Sequence, residues 1–107
     1  SEIGKLKALE KLHLQNNQIS NLPESIGNLN ALEELRLYNN HLESLPDTFQ
    51  NLQNLKYLSL SKNNFTEMPH VLSKLKNLKS LDISENPLPS KEIEKVKKYL
   101  PNIKITL

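Results

Sequence analysis

The chain of 107 residues contains no cysteine, no tryptophan and only two glycines. The absence of cysteine excludes a disulfide framework, a thiolate metal site and a cysteine nucleophile. The three histidines are scattered, and no carboxylate recurs beside them at the spacing of metal ligands. Two glycines do not supply the glycine-rich loop that binds a phosphate group. We therefore expect no metal, no cofactor and no phosphate-binding loop.

The sequence also has few aromatic residues and no long apolar run. No apolar stretch approaches the roughly 18 residues that a membrane span requires, and the segment from Ser1 to Lys5 lacks the apolar centre of a signal peptide. The formal net charge of +2 is too small to predict nucleic-acid binding by itself. We expect a single domain that neither inserts into a membrane nor binds nucleic acid.

Leucine, by contrast, occupies 22 positions and asparagine 14, and both recur with a period of 23 residues. Four apolar columns start at Leu6, Leu9, Leu12 and Leu14 and return three times each. An asparagine column follows them: Asn17, Asn40, Asn63 and Asn86. This common register indicates an internal repeat. It predicts one domain over residues 1–107, with the tail of an incomplete repeat at 1–5, repeats starting at residues 6, 29, 52 and 75, and a C-terminal cap over 90–107.

Each unit has the pattern L-x-x-L-x-L-x-x-N-x-[LIF], followed by L-P-x-x-[IFL]-x-x-L in its second half. In this pattern the chain resembles the leucine-rich-repeat family over essentially its full length, and above all the 23-residue repeats of short bacterial proteins. The resemblance implies an α/β solenoid, a right-handed horseshoe that binds proteins. It leaves the compartment open between the cytoplasm and a secreted or cell-surface location in a bacterium.

The spacing within one unit predicts its local structure. Apolar and polar residues alternate in each L-x-L segment, so short strands are expected from Leu12 to Leu14 and at the corresponding positions of later repeats. Stacked units would form a parallel concave sheet with a continuous leucine core. Proline in each return segment favours an extended or 3₁₀ convex side. The asparagine column is expected to form a structural ladder, because an amide can both donate to and accept from backbone groups.

Both ends of the chain depart from the repeat. Apolar residues at helical spacing predict a capping α-helix from Ser90 to Leu100, with Ser90 as its N-cap. A degenerate fifth strand is then expected to repeat the fourth at an offset of 22 residues. At the other end the chain starts inside a repeat, either because repeats precede it in the natural protein or because the first repeat has a bare edge. Such an edge would favour edge-to-edge self-association.

The solvent-facing positions of the strands should form three rows across the concave sheet. The expected rows are Lys11, Glu34, Tyr57, Ser80 and Asn102, then His13, Arg36, Ser59, Asp82 and Lys104, then Gln15, Tyr38, Ser61, Ser84 and Thr106. Tyrosine and arginine are enriched at binding hot spots. We therefore predict a partner-binding site with Arg36, Tyr38 and Tyr57 as its anchors and His13, Glu34, Ser59 and Asp82 around them.

Three functions remain as hypotheses. The first is a non-enzymatic module that binds a protein or peptide through the concave sheet. The second is a C-terminal capping segment of a longer solenoid, and the third is binding of a glycan or polyanion by the half from residue 54, which carries a net charge of +5. Catalysis is not expected, because strand spacing would place His13 about 10 Å from Ser59.

Overall fold

The structure is a computed structural model that describes residues 8–107, and it contains a five-stranded parallel sheet. The strands are β1 (Lys11–His13), β2 (Glu34–Arg36), β3 (Tyr57–Ser59), β4 (Ser80–Asp82) and β5 (Lys104–Thr106), in that spatial order. The predicted parallel sheet is therefore confirmed, although each of the first four strands begins one residue earlier than expected. The expected tail at 1–5 and Leu6 lie outside the described residues.

The return segments contain 3₁₀ turns at Glu24–Asn28, Asp47–Asn51 and His70–Lys74. A proline precedes each turn, with φ near −65° and an extended ψ. Proline cannot donate a backbone hydrogen bond and restricts the residue before it, so the chain turns tightly here without entering an α-helix. Within residues 8–107 the only α-helix is α1 (Ser90–Tyr99), which confirms the mostly non-α convex side and the helix near the C-terminus.

The core lies between the sheet and the convex turns, and the leucine columns form it. Leu35 and Leu37 of one repeat and Leu55 and Leu60 of the next are completely buried. Leu12 and Leu14, which belong to the first described turn, are only half-buried. This difference follows from the solenoid, since each repeat buries its apolar face against its neighbours on both sides.

The C-terminal segment differs from the prediction in its details. Pro89, not Ser90, is the N-cap, and no side chain makes a capping hydrogen bond there. The helix ends at Tyr99, and Val96 and Leu100 are buried. Of the predicted apolar contacts, Ile93 is only half-buried. The C-terminal segment therefore packs against the core mainly through Val96 and Leu100.

The register of β5 also differs, because Ser80 pairs with Lys104 and Asp82 pairs with Thr106. The offset is thus 24 residues, not 22. The strand begins later because α1 and the turn after it contain two more residues than the sequence pattern that begins at Leu100 predicts. Consequently Asn102 is not in the first row, Lys104 moves from the second row to the first, and Thr106 moves from the third to the second.

Candidate concave binding site

Asparagine side chains fix the loops that follow the strands of the concave sheet. Asn63 is buried, and its Nδ2 donates to the carbonyl oxygens of Leu37, Leu60 and Ser61 at 3.0–3.1 Å. Its Oδ1 accepts the backbone N–H of Leu42 at 3.0 Å. One amide therefore satisfies backbone groups of two successive turns.

The other members of the column bond in related ways. Asn40 and Asn86 donate to the preceding turn and accept from it, whereas Asn17 donates to Leu14 and Gln15 of its own turn. The residue before each of these asparagines has a positive φ of 55–61°. The chain therefore leaves each of the first four strands in the same direction and presents their side chains in aligned rows.

The first two rows of the concave face are aligned by strand pairing. Glu34 pairs with Tyr57 and Arg36 with Ser59, so charged, aromatic and hydroxyl side chains lie next to one another on a common surface. Tyr57 has an exposed fraction of 46%, and it is one of three large hydrophobic side chains exposed in the described chain. An exposed aromatic ring in the middle of a rigid sheet is a suitable anchor for a partner.

A compact charge cluster lies beside this tyrosine, on β1 and β2. His13 Nε2 lies 2.5 Å from Glu34 Oε2, and Arg36 Nε lies 3.2 Å from the same oxygen. The hydrogen bond from His13 lowers the pKa of Glu34, and the charge of Arg36 acts in the same direction while burial opposes both. Glu34 thus holds two donors in position, and Arg36 remains 45% exposed. The arrangement places an oriented guanidinium group at the surface.

A shallow groove of about 340 Å³ crosses β2 to β5. Five of the seven predicted binding residues line it: Glu34, Arg36, Tyr57, Ser59 and Asp82. His13 does not line the groove but is hydrogen-bonded to Glu34, which does. Tyr38 lies beyond the end of β2 and is half-buried. Lys104 and Thr106 line the groove as well. Both residues were expected in rows of the concave face but were not included in the predicted site, which was centred on the arginine and the tyrosines.

The contacts in the second row do not form a hydrolytic relay. His13 bonds to Glu34, whereas Asp82 accepts the backbone N–H of Ser84 at 3.0 Å and its hydroxyl at 2.7 Å. A nucleophile, base and orienting acid must be joined in one chain of hydrogen bonds, which these residues do not make. Among residues 8–107 there is no group of three His, Asp or Glu side chains that could hold a metal ion. Within the same range no helix is long and apolar enough to cross a membrane.

A model of a family described as a leucine-rich repeat region matches residues 1–102. The chain belongs to the leucine-rich-repeat family. No curated protein matches it. Two similar solved structures are bacterial leucine-rich-repeat proteins. One, from Leptospira interrogans, is 40% identical with a TM-score of 0.94, and the match covers 99% of this chain and 27% of that one.

The second similar structure is an internalin from Listeria monocytogenes, 26% identical with a TM-score of 0.80. The match covers 97% of this chain and 29% of the internalin. The chain thus spans less than a third of the length of both solved leucine-rich-repeat chains. Leucine-rich-repeat regions are in general protein-interaction modules, and nothing in the described residues shows catalysis.

Proposed function

We propose that the protein binds a protein or peptide ligand through the concave face of its sheet, with Arg36 and Tyr57 as the main anchors. The observation that carries the proposal is the exposed ring of Tyr57 in the centre of the concave groove. Its row neighbours are Glu34 and Ser80. An aromatic anchor surrounded by polar groups is the usual composition of a binding hot spot and its rim.

The charges around Tyr57 support a polar peptide or protein surface as the ligand. Arg36 lies on one side of the groove, and Lys104 lies near the other end of the first row. Glu34 and Asp82 balance them, so the groove carries both signs of charge. A mixed pattern favours selection of one partner over others by charge complementarity rather than general attraction to a polyanion.

Site-specific photocrosslinking tests this proposal even when the partner is unidentified. A photoreactive phenylalanine analogue replaces Tyr57 in the protein expressed in its native host, and a matched variant carries it at the exposed convex position Lys76. We expect a discrete crosslinked protein from position 57 that is absent from position 76. Crosslinks from position 76 alone would overturn the concave site. The absence of a crosslink at position 57 would favour a purely structural role of this segment in a longer solenoid.

A further inference from the structure

A second groove, which we call the outer groove, lies between α1 and the turns of the repeats that start at residues 29 and 52. Its volume is about 470 Å³, and none of its lining residues lines the concave groove. Leu45, Met68 and Val71 contribute apolar surface next to the core. Tyr99 of α1 lines the outer groove too, and it has an exposed fraction of 51%.

The outer groove forms because α1 replaces the short 3₁₀ turn of a regular repeat. An α-helix with its side chains is about 10 Å wide, whereas neighbouring strands lie about 4.8 Å apart. Glu92, in the first turn of α1, reaches the backbone N–H of Met68 at 2.9 Å. The first turn is therefore attached to the preceding repeat, and the later residues Lys95 and Tyr99 line the space beside it.

The border of the outer groove is negatively charged. Glu43, Asp47 and Glu67 line it, and none of them forms an ion pair with another described residue. The one lysine of the lining, Lys95, is engaged by Glu92 at 3.0 Å. Glu92 and, to a smaller extent, Glu67 raise the pKa of Lys95, so both carboxylates attract this one lysine. The lining still has four carboxylates and one lysine, in a protein whose net charge is +2. A ligand with positive charge is the complement of such a surface.

We propose that the outer groove binds a short basic segment of a partner protein, with one apolar side chain packed against Met68 and Tyr99 and with arginine or lysine facing Glu43, Asp47 and Glu67. Methionine suits this role because its flexible, polarisable side chain adapts to different apolar groups. Lys98 Nζ already lies 5.6 Å from the Tyr99 ring centroid, so the positive charges of the ligand are assigned to the carboxylates and not to this ring. The outer groove would therefore be a second interaction surface, independent of the concave site.

Met68 is the single methionine of the sequence, so a ¹³C label on its methyl group reports directly on the outer groove. The probe is a capped peptide with three arginines and one central leucine, and the control peptide has glutamate at the arginine positions. We expect the arginine peptide to shift the Met68 methyl resonance saturably, and the glutamate peptide to leave it unchanged. An unchanged Met68 signal with the arginine peptide would overturn the proposal. A shift that depends on protein concentration alone would identify a second copy of the chain as the occupant and would also overturn it.

Two triple variants with the same change in net charge separate a specific site from general attraction. Glu43→Gln, Asp47→Asn and Glu67→Gln remove the border charges, whereas Glu10→Gln, Glu24→Gln and Glu94→Gln remove exposed charges elsewhere. We expect the first set to weaken binding of the arginine peptide by about tenfold or more and the second by no more than about twofold. Equal weakening by both sets would contradict the proposal. Tyr99→Ala, at an exposed position, should weaken binding while leaving the border charge intact.

Discussion

The carboxylate of Glu92 accepts a hydrogen bond from the backbone N–H of Met68, 2.9 Å away, and so joins α1 to the repeat before it. The other carboxylate oxygen lies 3.0 Å from Lys95 Nζ. Glu92 is buried even though it belongs to a helix whose outer face carries charge. The cap is therefore held by a polar contact as well as by Val96 and Leu100.

This contact predicts how stability depends on pH. The hydrogen bond from Met68 lowers the pKa of Glu92 below its usual value of 4.5, and the bond from Lys95 lowers it further. A lowered pKa in the folded state means that the contribution to stability is complete above pH 4.5 and is lost as the pH falls through the folded pKa. We expect Glu92→Gln to melt at a lower temperature than the parent at neutral pH, with the difference shrinking below pH 4.5.

The matched control for this prediction is Glu94→Gln, an exposed position on the same helix that forms no ion pair with the described residues. Thermal unfolding at a series of pH values should show no comparable change in its difference from the parent. Identical pH profiles for the two variants would contradict the role assigned to Glu92.

The asparagine ladder predicts a large difference between two adjacent asparagines. Asn63→Ala removes the acceptor for the buried N–H of Leu42 and the donor for three carbonyl groups. Leaving buried backbone groups without partners costs about 1–3 kcal/mol each, so we expect a loss of about 3 kcal/mol in the free energy of unfolding. Asn64→Ala, at an exposed position, should change it by less than about 0.5 kcal/mol. Urea denaturation measures both, and equal stabilities would exclude a structural role for Asn63.

Close packing of the convex turns makes Gly27 sensitive to substitution. A Cβ atom at Gly27 would lie 2.4 Å from the carbonyl oxygen of Thr48 and 2.8 Å from its Cβ. Both obstructing atoms lie close to the backbone, so the neighbouring turn must move, and we expect Gly27→Ala to cost about 1–3 kcal/mol. Gln50 occupies the same position one repeat later and already carries a Cβ. Gln50→Ala should therefore be tolerated, and a calorimetric comparison in which Gly27→Ala melts no lower than Gln50→Ala would refute this packing argument.

The first described strand is expected to be the least protected part of the sheet. Within residues 8–107, β1 pairs only with β2, and Leu12 and Leu14 are half-buried while Leu35 and Leu37 are fully buried. Strand edges with open backbone groups exchange quickly and can pair with another chain. For the 107-residue chain we expect amide exchange over residues 8–14 to be fastest in dilute solution and to slow as the concentration rises. Protection equal to that of β3 at every concentration, in a monomer, would disprove the idea.

Most of the fold could be predicted from the repeat, because the leucine, asparagine and proline columns each impose one local geometry. The register of β5 could not be predicted, because the sequence from Leu100 to Ile105 fits the L-x-x-L-x-L pattern two residues before the position at which the strand pairs. The role of Glu92 could not be predicted either: a glutamate in a first helical turn is explained by the helix dipole, and nothing in the pattern shows that its carboxylate reaches Met68. The groove residues Lys104 and Thr106 were omitted from the predicted site because it was centred on the anchor arginine and tyrosines, and residue type alone does not show that the groove extends to β5.

Binding of the partner by the concave sheet can be tested through the dissociation constant of the protein crosslinked at position 57. Calorimetric titration would compare the parent with a variant carrying Arg36→Ala, Tyr38→Ala and Tyr57→Ala, and with a convex control carrying Asn51→Ala, Lys74→Ala and Lys76→Ala. Loss of one anchor costs about 2 kcal/mol, so we expect the concave variant to bind at least about 100-fold more weakly and the control to bind as the parent does. Normal binding by a folded concave variant would show that the partner does not bind to the concave sheet.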